Sequence, residues 1–269
     1  MKKVLILSFL INFCFLFSQS KSFIYQLKFK PNSTKDSIAK EIFILDVKEG
    51  RSVFRTLKEK TADSTSQVSN KISFFTTSFK DFKSVSKDLK TKKIKKFITN
   101  FQKLFTIKIE DELIWKIANE TKEIAGMKTQ KATTNYGGRN WIAWFTNEIP
   151  LQEGPYIFHG LPGLITEISD VQNNFSFSLV QIRNSDGKLY EKENSLAISW
   201  KQYQKLAKDY YADPTREING KNSGSPVLMK WVDEQGNEVN PNFKEMNEKE
   251  QKEIRLNNNP IELNHIIAY

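Results

Sequence analysis

The chain has 269 residues, 39% of them hydrophobic and 12% aromatic, and its formal net charge at pH 7 is +10. This length accommodates one large or two small domains, and we expect a single domain because β-sandwiches and barrels of this size are commonly single. The one cysteine, Cys14, excludes an intramolecular disulfide. The two histidines, His159 and His265, exclude a multi-histidine metal centre unless carboxylates dominate it. We therefore predict no metal site and no cofactor.

The first twenty residues have the pattern of a secretory signal peptide. Lys2 and Lys3 precede a largely apolar run over 4–17, and residues 18–20 form a small, polar cleavage zone. The prediction is an exported protein, periplasmic or extracellular, whose mature part, 21–269, is one domain. Removal of the segment also removes the single cysteine, and with it thiol nucleophiles and zinc–thiolate sites.

Two further features concern membranes and charged surfaces. Cys14 lies between Phe13 and Phe15, whereas a lipid-attachment cysteine needs small residues before it, so we expect no lipidation. No later segment approaches about 18 consecutive apolar residues, which predicts no transmembrane segment in the mature chain. Without Lys2 and Lys3 the formal charge is 39 − 31 = +8, and this favours contact with anionic surfaces. Nucleic acid is not expected among the partners.

The first 110 residues predict strands and one ambiguous region. Apolar and polar residues alternate over 22–30, which predicts a half-buried strand. Apolar runs lie on either side of Gly50, and the positive φ that glycine allows predicts a hairpin turn there. Residues 61–70 are polar and predict a loop. Helical and alternating spacings compete over 80–98, so both remain open, whereas 103–110 alternates as a strand.

A lysine run overlaps the ambiguous region. Such a run is most often a solvated face, and that interpretation stands beside a second one, a patch that contacts an anionic surface. Phe97 and Phe101 nearby are the only hint of stacking. The six lysines are Lys87, Lys90, Lys92, Lys93, Lys95 and Lys96.

The middle of the chain predicts further strands joined by tight turns. Gly126 separates two of them, and Gly137 and Gly138 form a hairpin turn before a strand over 139–146. That strand is apolar on both faces, which is typical of a central strand or of one covered on both sides. Another hairpin is predicted over 164–182.

Two helices and a hairpin are predicted in the last third. Ser199 and Gln202 form a capping-box pattern before an apolar stripe of helical spacing, which predicts a helix over 200–211. A hairpin is predicted over 227–239. A short charged helix follows over 242–256, because a proline and asparagines flank it as start and stop signals.

The segment 154–170, GPYIFHGLPGLITEISD, sets three glycines and two prolines among large apolar residues. The four residues from Leu161 to Leu164 fit a type II turn, because Pro162 presets φ at the second position and Gly163 accepts a positive φ at the third. We interpret the segment as architecture, a rigid packed connection between the strands that flank it. The residues that define it are Gly154, Pro155, Gly160, Leu161, Pro162 and Gly163.

The string GLPGLI, residues 160–165, resembles the motif of the GLPGLI family of exported bacterial proteins, and 257–264 resembles the family's C-terminal signature. The resemblance covers essentially the whole mature chain, and it implies export from a Gram-negative type of cell. It implies no activity, since the family has none established. At 127–129 this chain lacks an aromatic residue and a cysteine that relatives often carry. Matching core residues are Trp115, Gly126, Arg139, Trp144, Pro150, Gly154 and Pro155.

Four residues are candidates for ligand contact, namely Arg139, Trp141, Trp144 and His159. Arg139 could bind a carboxylate or phosphate, whereas most arginines at a strand start pair with an acid, here Glu148 or Glu153. Tryptophans of a strand apolar on both faces are more often core than groove. His159 has no evident partner for general-base chemistry, and a hydrogen-bonded structural histidine is the alternative.

Paired carboxylates are the other route to catalysis, because glycoside hydrolysis requires two of them about 5 to 10 Å apart. Glu110, Asp111 and Glu112 are adjacent, and Glu148 and Glu153 flank a proline. Adjacent acids at a strand end usually face solvent. We therefore assign no catalytic residue.

These elements together predict a mainly β (α+β) protein, a curved antiparallel sheet or open half-barrel with a few helices packed on it. Our first functional hypothesis is non-enzymatic binding or carriage of a lipid or another apolar ligand, which requires an unfilled apolar cavity. The second is docking to an outer-membrane partner or an anionic surface, which requires a filled core and a contiguous lysine face over 87–103. The third, a carboxylate-dependent hydrolase, requires two converging acids.

Overall fold

The computed structural model describes residues 20–69, 79–101, 103–192, 194–219 and 235–269. Apart from residue 20, the predicted signal peptide lies outside the described residues, and so does most of the predicted hairpin over 227–239. No helix within the described ranges is long and apolar enough to cross a membrane.

Twelve strands of the described chain form one sheet, hydrogen-bonded in the order β12-β6-β5-β4-β3-β2-β1-β11-β10-β9-β8-β7. Neighbouring strands are antiparallel except β12 and β6, which are parallel. The sheet is open, with β12 and β7 as its edges, and the predicted mainly β class is confirmed. The strands are β1 Lys21–Phe29, β2 Ala39–Lys48, β3 Arg51–Thr56, β4 Phe79–Asp88, β5 Lys93–Asn100, β6 Lys103–Ile109, β7 Lys116–Ile124, β8 Met127–Tyr136, β9 Arg139–Thr146, β10 Leu164–Asp170, β11 Phe175–Asn184 and β12 Leu196–Ala197.

Alternation along the central strands fixes which face forms the core. In β1, Tyr25 and Leu27 are fully buried, and Tyr25 lies opposite Phe43 of β2. The Phe43 ring stacks on Phe54 of β3 at 4.8 Å between centroids. Gly50 has φ +83 in the turn between β2 and β3, as the hairpin prediction required. The strands and turns predicted for this region are confirmed.

The ambiguous region 80–98 forms β4 and β5. Asp81 pairs with Ile98 and Ser84 with Phe97, so β4 takes three steps along the ladder where β5 takes one. Lys83 adopts φ +56 within this bulge. A bulge breaks the two-residue period of a strand, which is why the apolar spacing here fits neither template.

Helix α1, Leu57–Ser69, stands where the sequence predicts a loop over 61–70, so that prediction is wrong. The packed face of α1 is polar, since Glu59 and Asp63 are buried. Asp63 accepts a hydrogen bond from Arg55 at 2.9 Å, and Glu59 accepts one from Lys192 at 2.8 Å. A helix held by charged groups has no apolar stripe, so its sequence resembles that of a loop.

The two other helices confirm the predictions. Helix α2, Trp200–Ala212, begins with a complete capping box formed by Ser199 and Gln202. Helix α3, Phe243–Leu256, begins after Asn242, whose side chain accepts a hydrogen bond from the backbone of Glu245. The two helices pack on each other, and Gln251 of α3 donates to the Tyr211 carbonyl of α2 at 2.9 Å.

The sheet curves around the C-terminal segment, residues 257–269, which follows α3. Lys96 belongs to β5, the third strand in the sheet order, and Tyr136 belongs to β8, the eleventh. In a flat sheet, strands eight positions apart are roughly 38 Å apart at about 4.8 Å per strand. Both side chains nevertheless donate to the carboxylate of Glu262, at 2.9 and 2.8 Å respectively. The two halves of the sheet must therefore bend toward each other across its inner face.

Candidate functional site

The loop between β9 and β10, residues 147–163, lies against the inner face of the sheet. Four of its apolar side chains, Tyr156, Ile157, Phe158 and Leu161, are at most 1% exposed. The Phe158 ring packs on Trp141 of β9 at 4.7 Å between centroids. The loop therefore fills much of the core, in agreement with its interpretation as architecture.

A buried lysine holds this loop. The Lys87 ammonium of β4 lies 2.6 Å from Glu153 and donates to the carbonyls of Gly154 at 2.8 Å and Phe158 at 3.3 Å. Burial lowers the pKa of Lys87, and the nearby Glu153 carboxylate opposes this shift. Since both charges are out of water, each depends on the other for solvation. We call this group, Lys87 with Glu153 and the two carbonyls, the loop clasp.

The glycines of the loop act by close approach more than by turn geometry. A Cβ at Gly163 would lie 2.0 Å from the Thr146 carbonyl oxygen of β9. Gly163 does not have a positive φ, so the type II turn predicted over 161–164 is wrong. The left-handed position belongs to Gly160, at φ +91. At Gly154 a Cβ would lie 2.8 Å from the Ile165 side chain.

A second buried cluster surrounds Glu262. Its carboxylate accepts hydrogen bonds from Tyr136, Tyr156 and Lys96, and Lys96 also donates to the Tyr156 hydroxyl at 2.9 Å. The Lys96 ammonium lies 5.7 Å from the centre of the Trp200 ring of α2. This cluster joins both halves of the sheet, the loop and the C-terminal segment at one point.

Arg139 forms a third buried cluster, with the C-terminal segment. It donates to the carbonyls of Ile261 at 3.0 Å and Pro260 at 2.7 Å, and it lies 3.2 Å from Asp170. The predicted partners were Glu148 or Glu153, and that pairing is wrong, because Asp170 at the end of β10 is the nearer acid. Burial lowers the pKa of Arg139, and Asp170 opposes the shift.

The other candidate residues are not brought together with Arg139 in one open site. Trp141 is fully buried and donates to the Tyr136 carbonyl at 3.1 Å. Trp144 lies on the opposite face of β9, half-buried beneath the Lys122 ammonium at 4.3 Å. β9 lies between β8 and β10, so the prediction of a strand that is central or covered on both sides is confirmed in its first form, and the inner face is the fully buried one. A binding role for these residues stays a prediction.

The histidines have structural partners. Nδ1 of His159 lies 2.8 Å from the Ile157 carbonyl oxygen. Burial and the charge of Lys87 lower the pKa of His159, which keeps its imidazole neutral at pH 7. The His265 ring stacks on Trp200 at 4.0 Å between centroids.

The lysine run is divided between the two faces of the β4–β5 hairpin. Lys87 and Lys96 are each 1% exposed, so the prediction that they belong to an anionic-surface patch is wrong. Both side chains point to the core face, where Lys87 pairs with Glu153 and Lys96 pairs with Glu262. The four lysines between them, Lys90, Lys92, Lys93 and Lys95, are exposed.

Among the acids proposed for hydrolysis, Glu153 belongs to the loop clasp, and the other four are exposed. Glu110 is exposed and pairs with Lys108 at 2.7 Å, and this neighbour lowers the pKa of Glu110. Glu148 is exposed and accepts from the backbone of Lys128. Among the described residues no group of three or more His, Cys, Asp or Glu side chains is arranged to hold a metal ion.

A cavity of about 650 Å³ lies between the sheet, α2, α3 and the C-terminal segment. Sequence reasoning missed it because its walls come from segments far apart in the chain, and its one local signal is the tyrosine stripe of α2. Five of its sixteen lining residues are aromatic, and Phe79 of β4 reaches Tyr203 of α2 at 5.6 Å. The lining residues are Phe29, Pro31, Phe79, Lys83, Lys96, Tyr203, Tyr210, Glu250, Glu253, Ile254, Asn257, Asn258, Asn259, Pro260, Ile261 and Tyr269.

The polar groups of the cavity are held by its own walls. Tyr210 donates to Glu250 at 3.1 Å, and burial together with this carboxylate raises the pKa of Tyr210. Burial raises the pKa of Tyr269 to about 12. The Lys83 ammonium lies 4.6 Å from the centre of the Phe29 ring. Tyr210 and Tyr269 are therefore neutral at pH 7, and the Tyr210 ring stacks on Phe79 at 6.0 Å between centroids.

A family model matches the middle of the chain. Residues 76–167, which include β4 to β9 and the loop, match a family model described as a protein of unknown function (Porph_ging). No curated protein matches the chain.

Solved structures of PNGF-II have a similar fold. The structure in space group C2 matches with a TM-score of 0.51 and 16% identity, over 70% of this chain and 32% of that one. The structure in space group P21 matches with a TM-score of 0.50 and 16% identity, over 70% of this chain and 33% of that one. This chain thus spans about one third of the length of PNGF-II, and the likeness concerns the fold alone.

Proposed function

We propose that this protein is a non-enzymatic binding or carrier module for a lipid or another apolar ligand, and that the cavity between sheet and helices is its binding site. The observation that carries the proposal is the space itself. A volume of about 650 Å³ lies within the roughly 300 to 1,000 Å³ that is common for small-molecule sites. Aromatic rings from both walls offer a ligand apolar contact area.

The surrounding structure supports a preformed site. The loop packs into the sheet interior beside the cavity, with Tyr156, Phe158 and Leu161 fully buried. The half-buried side chains of α2 that face it, among them Tyr203 and Tyr210, leave apolar surface for a ligand to cover. The sheet in this proposal is the open half-barrel expected from the sequence, and the cavity is its mouth.

The setting we propose is the cell envelope. The signal-peptide pattern over 1–20 and the GLPGLI resemblance support export to the periplasm or beyond, without a lipid anchor. In that setting an apolar molecule needs a protein to cross water, because exposure of apolar surface to water is unfavourable.

Native mass spectrometry of the mature protein, purified from its own cells and followed by organic extraction, tests the proposal. We expect a bound apolar molecule at a stoichiometry near one. Ile254→Trp, which adds volume on the cavity side of α3, should abolish the bound mass, while Lys252→Trp on the exposed side of the same helix should retain it. A protein of bare sequence mass, or a ligand retained in Ile254→Trp, contradicts the proposal.

Docking to an anionic surface is the second candidate. The observation that favours it is the cluster Lys90, Lys92, Lys93 and Lys95, all exposed around one hairpin. Juxtaposed lysines near an anionic membrane contribute about 1 kcal/mol each. Vesicles with 30% anionic lipid should bind the wild-type protein at low salt and should lose it when Lys92 and Lys93 are both replaced by glutamate. Equal binding by both proteins contradicts this candidate.

A further inference from the structure

The two walls of the cavity differ in charge. The sheet wall carries Lys83 and Lys96, whereas the α3 wall carries Glu250 and Glu253. Lys96 is paired with Glu262 at 2.9 Å, so its charge is matched within the protein. The cavity therefore has a distinct acidic side.

The carboxylates of that side are bound only by neutral groups among the described residues. Glu250 accepts from the Tyr210 hydroxyl at 3.1 Å, and Glu253 accepts from the Asn257 amide at 3.2 Å. Neither forms an ion pair with a residue that the structure describes. A hydrogen bond from a neutral donor leaves the negative charge of a carboxylate uncompensated, so this wall favours a cation.

Aromatic rings of α2 and of the C-terminal residue lie beside the α3 wall, where the α2 rings also meet Phe79 of the sheet. Tyr203 and Tyr210 of α2 line the cavity, and Tyr269 lines it beside them with its ring 4.9 Å from Tyr211. Ring faces attract ammonium groups, and a quaternary ammonium is the ligand that aromatic walls recognise best. Carboxylates and rings together thus provide two independent attractions for one kind of group.

The net charge of the protein does not oppose this preference at short range. The formal charge of +10 is spread over the molecule, and salt screens charges more than about 8 to 10 Å away at physiological ionic strength. The carboxylates of the α3 wall lie at the cavity itself. Once Lys96 is paired with Glu262, the lining has one further lysine, Lys83, against two glutamates, so the acidic side sets the local preference.

Resting on the binding function proposed above, we propose that the ligand carries an ammonium group, as a lipid headgroup or a free amine does. The ammonium group lies against Glu250, Glu253 and the tyrosine rings, and the apolar part of the ligand extends toward Phe29 and Phe79 on the sheet wall.

Four amphiphiles with the same twelve-carbon chain test the inference by calorimetry, each below its critical micelle concentration or, for dodecanol, below its solubility limit. They are dodecyltrimethylammonium, dodecylphosphocholine, dodecanoate and dodecanol. We expect both ammonium compounds to bind about tenfold more tightly than dodecanoate and dodecanol. Tighter binding of dodecylphosphocholine identifies a lipid headgroup as the source, and tighter binding of dodecyltrimethylammonium identifies an amphiphilic cation without a phosphate group.

Matched variants locate the ammonium group. Glu250→Gln should weaken the ammonium compounds about tenfold and leave dodecanol unchanged, while Glu248→Gln, on an exposed part of α3, should change neither. Glu253→Gln serves the same purpose if Glu250→Gln lowers the helical circular dichroism signal. Equal affinity for all four probes, or tighter binding of dodecanoate, overturns the ammonium inference and leaves the binding function intact. Failure of every probe to bind overturns both.

Discussion

The sheet interior has a loop side, which holds the loop between β9 and β10, and a helix side, which holds the cavity next to α2 and α3. Charged groups and aromatic rings are buried on the loop side and partly exposed on the helix side. On the loop side, Lys87 and Glu153 are at most 1% exposed and the rings of Tyr156 and Phe158 are fully buried. On the helix side, Tyr203 and Tyr210 are half-buried and enclose space. A charge that has lost its water must find a partner within the fold, and it then ties chain segments together. A charge at a cavity keeps water or a ligand as its partner, which leaves it available for binding.

Replacement of Lys87 by methionine should have the largest effect on stability. The variant leaves the Glu153 carboxylate buried without its cation, and breaking a buried pair in this way costs about 3 to 5 kcal/mol. The free energy of unfolding from urea titration measures the loss. In the double variant Lys87→Met with Glu153→Gln, much of the loss should return, because no uncompensated charge remains.

Lys83 provides the matched control for Lys87, because it also lies on β4 but lines the cavity. Lys83→Met should cost no more than about 1 kcal/mol, because a partly exposed charge gains little from its neighbours. A loss at position 83 as large as that at position 87 would show that the two sides of the interior do not differ in the way described above.

Gly163→Ala should follow in size. The new Cβ would lie 2.0 Å from the Thr146 carbonyl oxygen, and neither backbone segment can move away without displacing the loop or β9. Overpacking of this kind costs about 3 kcal/mol. Thermal unfolding compared with Pro162→Ala, at an exposed neighbouring position, separates the clash from a general effect of loop substitutions. Equal melting temperatures for the two variants would contradict the close-approach role of Gly163.

Local patterns in the sequence were sufficient to predict most of the sheet. The strand at 22–30, the turn at Gly50 and the capping box at Ser199 each depend on residues close together in the chain, and each is confirmed. The fold class follows from their sum.

Features that depend on distant partners could not be predicted. Lys87 and Lys96 sit in a run that is typical of a solvated face, and only their partners Glu153 and Glu262, far along the chain, make burial possible. Helix α1 was missed for the same reason, since its buried Glu59 pairs with Lys192, 133 residues away. The cavity was missed because β1, β4, both later helices and the C-terminal segment all contribute to it. Charge pairs between residues far apart in the chain are therefore the feature that a single sequence does not predict.

Ser199→Ala tests the helix side at a smaller scale. The side chain of Ser199 accepts a hydrogen bond from the Gln202 backbone, and the side-chain oxygen of Gln202 accepts one from the Ser199 backbone N–H. Loss of such a cap costs about 1 kcal/mol. Differential scanning calorimetry should show a melting temperature a few degrees lower, with Lys201→Ala, at an exposed position in the first turn, as the control. An unchanged melting temperature would mean that α2 is held by its packing alone.

The pH dependence of stability should distinguish the two sides by their histidines. Burial and Lys87 hold the pKa of His159 below its ordinary value of 6.5 in the folded protein, whereas the unfolded chain takes up a proton near that value. Between the two pKa values the unfolded state binds more protons, so stability falls as the pH drops below about 6.5 and levels off below the folded pKa. Urea titrations of wild type and His159→Gln from pH 7.5 to 5 should diverge at the high end of this range and converge at the low end, because the variant lacks this dependence.

His265→Gln reports the same quantity for the helix side, where burial also lowers the pKa of His265. A difference between wild type and His159→Gln that does not change with pH would mean that His159 takes up a proton as readily in the folded protein as in the unfolded chain. The surroundings of His159, including the loop clasp, would then not exclude solvent.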